Sequence, residues 1–336
     1  MKTIHLLKTL QQRFSAASVA ASVACLAAAS FISPLAAAAD YPTKPVRIVI
    51  GFSAGGGADL NLRLIAGHLS TDLGQQVLVD NRPGASGVIA AQYVLTQPED
   101  GYTLLYASTA LVIHSAKDKP TINLKTQFTP LSIFGRVNYV MFVPAASPPK
   151  TLAELIAWAK ANPGKLNYSS VGIGSTGHLG FEVFKRVAGI GGTHIPFKST
   201  AATTAAVAAG DIQVGLEPMS AVRPLMDAGK LRVLALASPK RSSHFPDIPA
   251  LEEQGIQGVD VVSWVGLMAK KGVSEAVIDR LSKGLSVAMA KPEVRTVLER
   301  AGYNIGTGTP DEQARQIDRE IPQFARVIRE EKIDFE

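Results

Sequence analysis

Three observations on this sequence predict an α/β architecture with mostly parallel strands. Short runs rich in Val, Ile and Leu alternate with segments of helical periodicity along most of the chain. Glycine-rich turns separate several of those runs from the helices that follow. Capping residues, Pro and Gly mark where helices begin and end.

Residues 1–39 stand outside the pattern. Lys2, Lys8 and Arg13 give a basic start, Ala16–Ile32 carries no charge, and Ala37-Ala38-Ala39 matches a small-residue cleavage signal. This predicts a cleaved signal peptide over 1–39, with export leaving Asp40 as the mature N-terminus. A membrane anchor is the alternative, because the apolar stretch is near the lower spanning length. Cys25, the single cysteine, lies inside this segment. Ser22 stands where lipoprotein signals favour Leu, which argues against acylation. Cleavage after Ala39 would remove disulfides, thiolate nucleophiles and cysteine–metal sites together.

In chain order, strands are expected at Val46–Ile50, Val77–Asp80, Thr103–Ala107, Val140–Val143, Leu166–Ser170, His194–Phe197, Val214–Leu216 and Val233–Ala237. Helices are expected near Asp59–Leu73, Ser86–Thr96, Leu152–Asn162, Leu179–Ala188, Thr203–Ala209 and Ala221–Ala228. Thr151 to Glu154 and Thr309 to Glu312 read as capping boxes. Pro292 starts a helix that Gly302 stops, and Pro322 should kink or break the last one. Two segments read as crossings between lobes, the Pro-rich Phe142–Pro149 and the stretch Gly255–Trp264. They predict one lobe from 40–142 and 262–336 and a second from 143–261. Trp158 and Trp264 are expected in core or hinge packing.

The formal charge is +6, and three of those charges are Lys2, Lys8 and Arg13. Such a mild excess suits acidic small molecules. No Lys/Arg block interleaved with aromatics argues for nucleic acid. The histidines lack metal-ligand spacing, so neither a metal nor a cofactor is expected.

The chemistry concentrates in two turns. After Val46–Ile50 comes Gly51-Phe52-Ser53-Ala54-Gly55-Gly56-Gly57-Ala58-Asp59, then a helix. Glycines let backbone N–H groups approach a ligand, and a helix start adds unpaired donors and partial positive charge. This is a receptor for a carboxylate or phosphate, with Phe52, Ser53, Ala54, Gly55 and Gly56 around it. Asp59 either contacts the ligand or caps the helix. Gly51 to Gly55 also fits G-x-S-x-G, so an exported serine hydrolase using Ser53 is the rival reading. Against it, only Asp40–Ile50 precede the motif in the mature chain, and no base can be placed beside Ser53.

Gly172-Ile173-Gly174-Ser175-Thr176-Gly177 spells the dinucleotide fingerprint G-x-G-x-x-G, but Thr193–Lys198 lacks the acid that fingerprint needs. A second anion cradle remains, with Ser175, Thr176, Gly177 and His178 supplying hydroxyl and amide donors. Val at Gly56 or Gly177 is expected to block the cleft while the fold is kept. No P-loop is present.

The order of these signals resembles the Bug-type extracytoplasmic solute-binding receptors of tripartite tricarboxylate transporters. The likeness runs through Tyr41–Arg47, Phe52–Asp59, Asn81–Gly87, Asp100–Leu105, His194–Lys198, Ala228–Arg232 and Ser238–Arg241. It implies a two-lobed, type II-like periplasmic binding protein with two crossover strands. Such a protein is a non-enzymatic monomer that closes on a small carboxylate and hands it to membrane permease subunits. It also implies that Ser86, Ser108, Thr109 and Phe197 line the cleft. One departure stands out. Family members often carry Phe-Asp and a small polar residue where this chain has Leu216-Glu217-Pro218-Met219. A Glu217 pointing into the cleft would disfavour a ligand carboxylate and accept an ammonium or hydroxyl instead; the alternative is a solvated Glu217.

Overall fold

The computed structural model describes residues 41–306 and 308–335. The expected signal peptide and Cys25 lie outside the described residues.

Strand β1 (Val46–Ile50) pairs in parallel with β2 (Val77–Asn81) and β3 (Thr103–Ser108). At the opposite flank β5 (Asn167–Ser170) pairs in parallel with β6 (Thr193–Pro196) and β7 (Val214–Pro218). Two longer strands join the flanks: β4 (Phe128–Pro144) and β9 (Val262–Lys270). The order is β2-β1-β3-β9-β4-β7-β5-β6, with β8 (Leu231–Leu236) and β10 (Tyr303–Ile305) also paired to β4. The α/β class is as expected, with parallel pairing confined to the flanks. Every pairing of β4 and β9 is antiparallel.

β4 is the main surprise, because the sequence pattern marks only Val140–Val143. Its first half carries Pro130 and Gly135, which ordinarily argue against a strand. Register shifts at Pro130/Ser132 and Ile133/Gly135 absorb both. Gly135 is needed where β10 crosses close by: a Cβ there would come within 2.6 Å of the Asn304 carbonyl oxygen. β4 pairs with β9 along Phe128–Asn138 and with β7 and β8 along Tyr139–Pro144, so one strand belongs to both flanks.

Helices α1 (Gly57–Leu73), α2 (Val88–Leu95), α3 (Thr109–Ser115) and α4 (Leu124–Gln127) follow the first strands. α5 (Leu152–Ala161), α6 (Thr176–Ala188), α7 (Thr200–Ala209) and α8 (Met219–Asp227) serve the other flank. The C-terminal third adds α9 (Glu275–Met289), α10 (Pro292–Arg300) and α11 (Pro310–Glu330). Thr151 and Thr309 cap α5 and α11 as their boxes predict, each accepting the N–H of the Glu three residues on.

α6 and α7 each start three residues earlier than expected, at Thr176 and Thr200, and three further departures stand beside these. α2 starts at Val88, not Ser86, because Ala85, Ser86 and Gly87 hold φ of 45°, 53° and 97°. α3 replaces an expected turn at Ser108–Thr109. α11 runs unbroken through Pro322. Gln313, Gln316, Ile317 and Glu320 of α11 are buried, and this packing outweighs the hydrogen bond that proline removes. Glu320 accepts the indole N–H of fully buried Trp264 at 2.7 Å. Trp264 thus sits in the core with Val49, Leu105 and Leu111, while Trp158 packs on the core around Tyr168, Phe181 and Phe184.

Candidate functional site

β1 ends in a turn that needs glycine at two positions, Gly51 and Gly55. A Cβ on Gly51 would lie 2.4 Å from the Gly87 Cα, so the chain leaves the sheet pressed against the 84–87 turn. Gly55 has φ +78°, the left-handed region that favours glycine. The cap of α1 is Gly56, which offers no side-chain acceptor. Asp59 is therefore not the cap; it lies in the first turn and reaches back beneath the loop. Its carboxylate accepts from the Gly55 N–H at 2.9 Å, Arg63 Nε at 3.0 Å and Asn81 Nδ2 at 2.9 Å. Asn81 also donates to the Phe52 carbonyl at 3.0 Å. Burial raises the Asp59 pKa, but Arg63, Gly55 and Asn81 outweigh it and hold the carboxyl below its usual range.

The second turn follows β5. Gly172 and Gly174 have φ of 121° and 75°. Ser175 caps α6 by accepting the His178 N–H at 3.3 Å. The His178 ring is turned back to accept the Gly174 N–H on Nδ1 at 3.3 Å. The two turns meet: Ser86 Oγ donates to the Ile173 carbonyl at 3.3 Å.

Between them lies a cavity of about 280 Å³. The first residues of five helices line it: Gly57 and Ala58 of α1, Ala110 of α3, Thr176 of α6, Thr200 and Ala201 of α7, and Ser220 and Ala221 of α8. Each helix start carries unpaired N–H donors and partial positive charge. Among the described residues none of the cavity lining is Lys, Arg or His. Within the lining, positive partial charge is offered by backbone groups. The walls are largely apolar or aromatic, with Val137, Val171, Val265, Tyr106, Tyr139 and Tyr303.

Glu217, near the end of β7, is the one acidic side chain in the lining among the described residues. It is 1 % exposed, so the solvated alternative is overturned. Neither carboxyl oxygen has a hydrogen-bond partner of ordinary geometry. Burial pushes its pKa up to about 8, although the Thr203 hydroxyl and the Val171 N–H lie near enough to pull the other way. The Thr176 hydroxyl is also buried and unpartnered. Burial raises the Tyr139 phenol, and Glu217 adds to that. The nearby Thr176 and Ser263 hydroxyls draw it down, without a full hydrogen bond to Thr176.

Of the residues singled out from sequence, Phe52, Ser53, Ala54, Gly55, Gly56, Ser86, Ser108, Ser175, Thr176 and Glu217 line this one cavity. Five others sit behind it. Asp59 braces the first loop. Thr109 Oγ1 accepts the Trp264 backbone N–H at 2.9 Å. Gly177 lets α6 seat on β7, since a Cβ there would come 2.3 Å from the Leu216 carbonyl oxygen. A Val at Gly177 would therefore strain the fold itself, contrary to the expectation of a cleft block with the fold intact. His178 bonds Gly174, and Phe197 packs on the cluster of Val140 and Phe142. Sequence reasoning missed Ser199–Ala201, Pro218, Ser220 and the three tyrosines. Ser199 before an Ala-rich helix is a legible cap signal, and its Oγ does accept the Ala202 N–H. Among the described residues no histidine lines the cavity beside Ser53.

Residues 62–333 match the family model described as tripartite tricarboxylate transporter family receptor. A Cupriavidus necator relative, "UPF0065 protein in gbd 5'region", is 38% identical over 288 residues, covering 84% of this chain and 86% of its own. Among solved structures, Rpa4515 of R. palustris with adipate superposes with a TM-score of 0.83 at 31% identity, covering 87% of this chain and 99% of the other. MatC of Rhodopseudomonas palustris with bound malate gives 0.81 at 26%, covering 86% and 100%. These likenesses agree with a solute-binding receptor and speak against the hydrolase reading.

Proposed function

Because the chain belongs to the tripartite tricarboxylate transporter receptor family, we propose that it is a periplasmic receptor capturing a small carboxylate for membrane permease subunits. No bond is made or broken. The observation that carries this reading is the convergence of five helix starts on a cavity without a cationic side chain. Amide donors fixed in place replace the water around a carboxylate without reorganising. The relatives that hold malate and adipate favour a dicarboxylate of about that size here, and the cavity's volume suits one.

The lobes 40–142 with 262–336 and 143–261 act as the closing halves, with β4 and β9 between them. Loading draws the loop at Phe52–Gly56 and the turn at Gly172–Thr176 onto the acid. The mature chain works as a monomer and begins at Asp40 after signal cleavage. Micromolar affinity corresponds to about −8 kcal/mol. A few charge-assisted hydrogen bonds at about 1.5–3 kcal/mol each supply it after entropic losses.

Calorimetry of the mature protein with malate, adipate, citrate, aspartate and aromatic acids tests the reading. Saturable binding of at least one dicarboxylate is expected. Silence across the panel, in protein shown to be folded, would remove it.

A further inference from the structure

Glu217 is the feature of the cleft that the anion cradle does not explain. An acid beside a site for acids would repel its ligand if ionised. Its surroundings decide which state it holds. Both carboxyl oxygens are buried without hydrogen-bond partners of ordinary geometry among the described residues. Among the described residues no cationic side chain lines the cavity to pair with it.

Each element packed against β7 bears this out. On β4, Val140 lies opposite Glu217 in register, and the phenol of Tyr139, itself raised by burial and then by Glu217, is the titratable neighbour. On β5, the Tyr168 hydroxyl is engaged by Glu182. On α6, the His178 ring is turned to the Gly174 N–H, and Lys185 pairs with Glu182 at 2.8 Å. Arg186, also on α6, pairs with Glu331. α7 carries no titratable residue, and its Thr203 offers a hydroxyl. On α8, Arg223 donates to the Arg300 carbonyl at 2.9 Å and pairs with Asp227 at 3.4 Å. A buried carboxyl without a countercharge keeps its proton.

We propose that Glu217 is the specificity-determining residue of the cleft, acting as a neutral carboxylic acid that donates a hydrogen bond to an oxygen of the bound acid. This deepens the receptor reading and rests on it. It selects ligands whose far end is a carboxylate, carbonyl or hydroxyl oxygen, and it rejects those presenting an ammonium. An ammonium would gain a negative partner only by drawing the proton off Glu217, and it would still face the positive starts of the surrounding helices. The unpartnered Thr176 hydroxyl, in the same lining, supplies a second contact to that oxygen. The raised pKa of about 8 agrees with this assignment, and a ligand oxygen accepting from the acid raises it further. Affinity is then full below pH 8 and falls about tenfold per pH unit well above it.

Two measurements test this. The first needs no ligand. Infrared difference spectra of wild type against Glu217→Gln at pH 7 should show a protonated carboxyl band lost in the variant. Its absence overturns the proposal whatever the protein binds. The second is calorimetry with malate and aspartate, which differ by a hydroxyl for an ammonium, and with adipate, from pH 6 to 9.5. Malate is expected to bind at least tenfold tighter than aspartate at pH 7, and the dicarboxylates should weaken above pH 8. Glu217→Gln keeps a donor and an acceptor, so it should weaken binding less than tenfold at pH 7 and level the pH profile. Tighter binding of aspartate, or a wild-type profile flat to pH 9.5, overturns the proposal. If the band is present but no acid binds at any pH, the receptor reading itself has failed, and the ligand hydrogen bond with it.

Discussion

The backbone N–H of Gly55 donates at 2.9 Å to the carboxylate of Asp59, four residues further on. The loop that lines the cavity is thus tied to the first turn of the helix behind it. The same carboxylate holds Arg63 and Asn81, and Asn81 holds the Phe52 carbonyl. Asp59→Ala would leave several donors unpaired at once. It should destabilise by about 1–3 kcal/mol and weaken ligand binding through a loosened loop. Denaturant midpoint and calorimetric affinity check this together. A loss of stability with affinity unchanged would show that the loop does not depend on its brace.

Gly177 and Gly56 should part company. A methyl on Gly177 meets the Leu216 carbonyl oxygen at 2.3 Å, so Gly177→Ala should push α6 off β7 and cost about 1–3 kcal/mol. Gly56→Val places its Cβ 3.5 Å from the Ser53 carbonyl oxygen, an ordinary contact. It should keep the urea midpoint and obstruct the cavity that Gly56 lines. Equal midpoints for both variants would contradict the seating of α6 on β7.

Acid should unfold the half built on β5 and α6. The His178 and His194 rings stack 4.0 Å apart. Burial, reinforced by Lys185 for His178 and by His178 first for His194, holds their pKa values down to about 4 and about 3. Both are neutral when folded and protonate near 6.5 when unfolded. The stability they contribute is whole above pH 6.5 and is lost as pH falls through 4. The loss is on the order of a few kcal/mol. Protonating His178 also removes the acceptor of the Gly174 N–H. Thermal melts from pH 7.5 to 4 should fall more steeply for wild type than for His178→Phe with His194→Phe. Parallel curves would contradict the assignment.

Trp264→Phe deletes one donor and also opens a small cavity, because the lost five-membered ring is fully buried. The Glu320 carboxyl, already raised by burial, loses its 2.7 Å bond to the indole. A cost of about 1–3 kcal/mol is expected. Pairing the change with Glu320→Leu should recover part of it, and a double-mutant cycle reads the coupling.

The strands of the flanks were legible because they are short apolar runs bounded by Gly, Pro or caps. Val46–Ile50 matches residue for residue. The first half of β4 was not, since Pro130 and Gly135 look like breakers until the neighbouring β10 and the two register shifts are seen. At the site, both glycine turns could be read directly, because their chemistry is local. Tyr106, Tyr139 and Tyr303 could not: they come from three strands that meet only after folding. Asp59 was legible as important but not in its role, which depends on where α1 begins. Glu217 is legible in the sequence as a departure, but its burial is not, and burial bears on its charge. Repulsion presumes a charge, and a charge presumes water or a partner.

A pocket whose attraction resides in peptide groups keeps that attraction through most side-chain changes in its walls, proline and the loop glycines excepted, because the amide donors stay in place. Val137, Val171, Ala201 and Val265 are then free to drift in size, reshaping the space without discharging it. One scaffold can in this way be retailored for many acids, each differing in outline, while the means of holding a negative end passes unaltered from version to version.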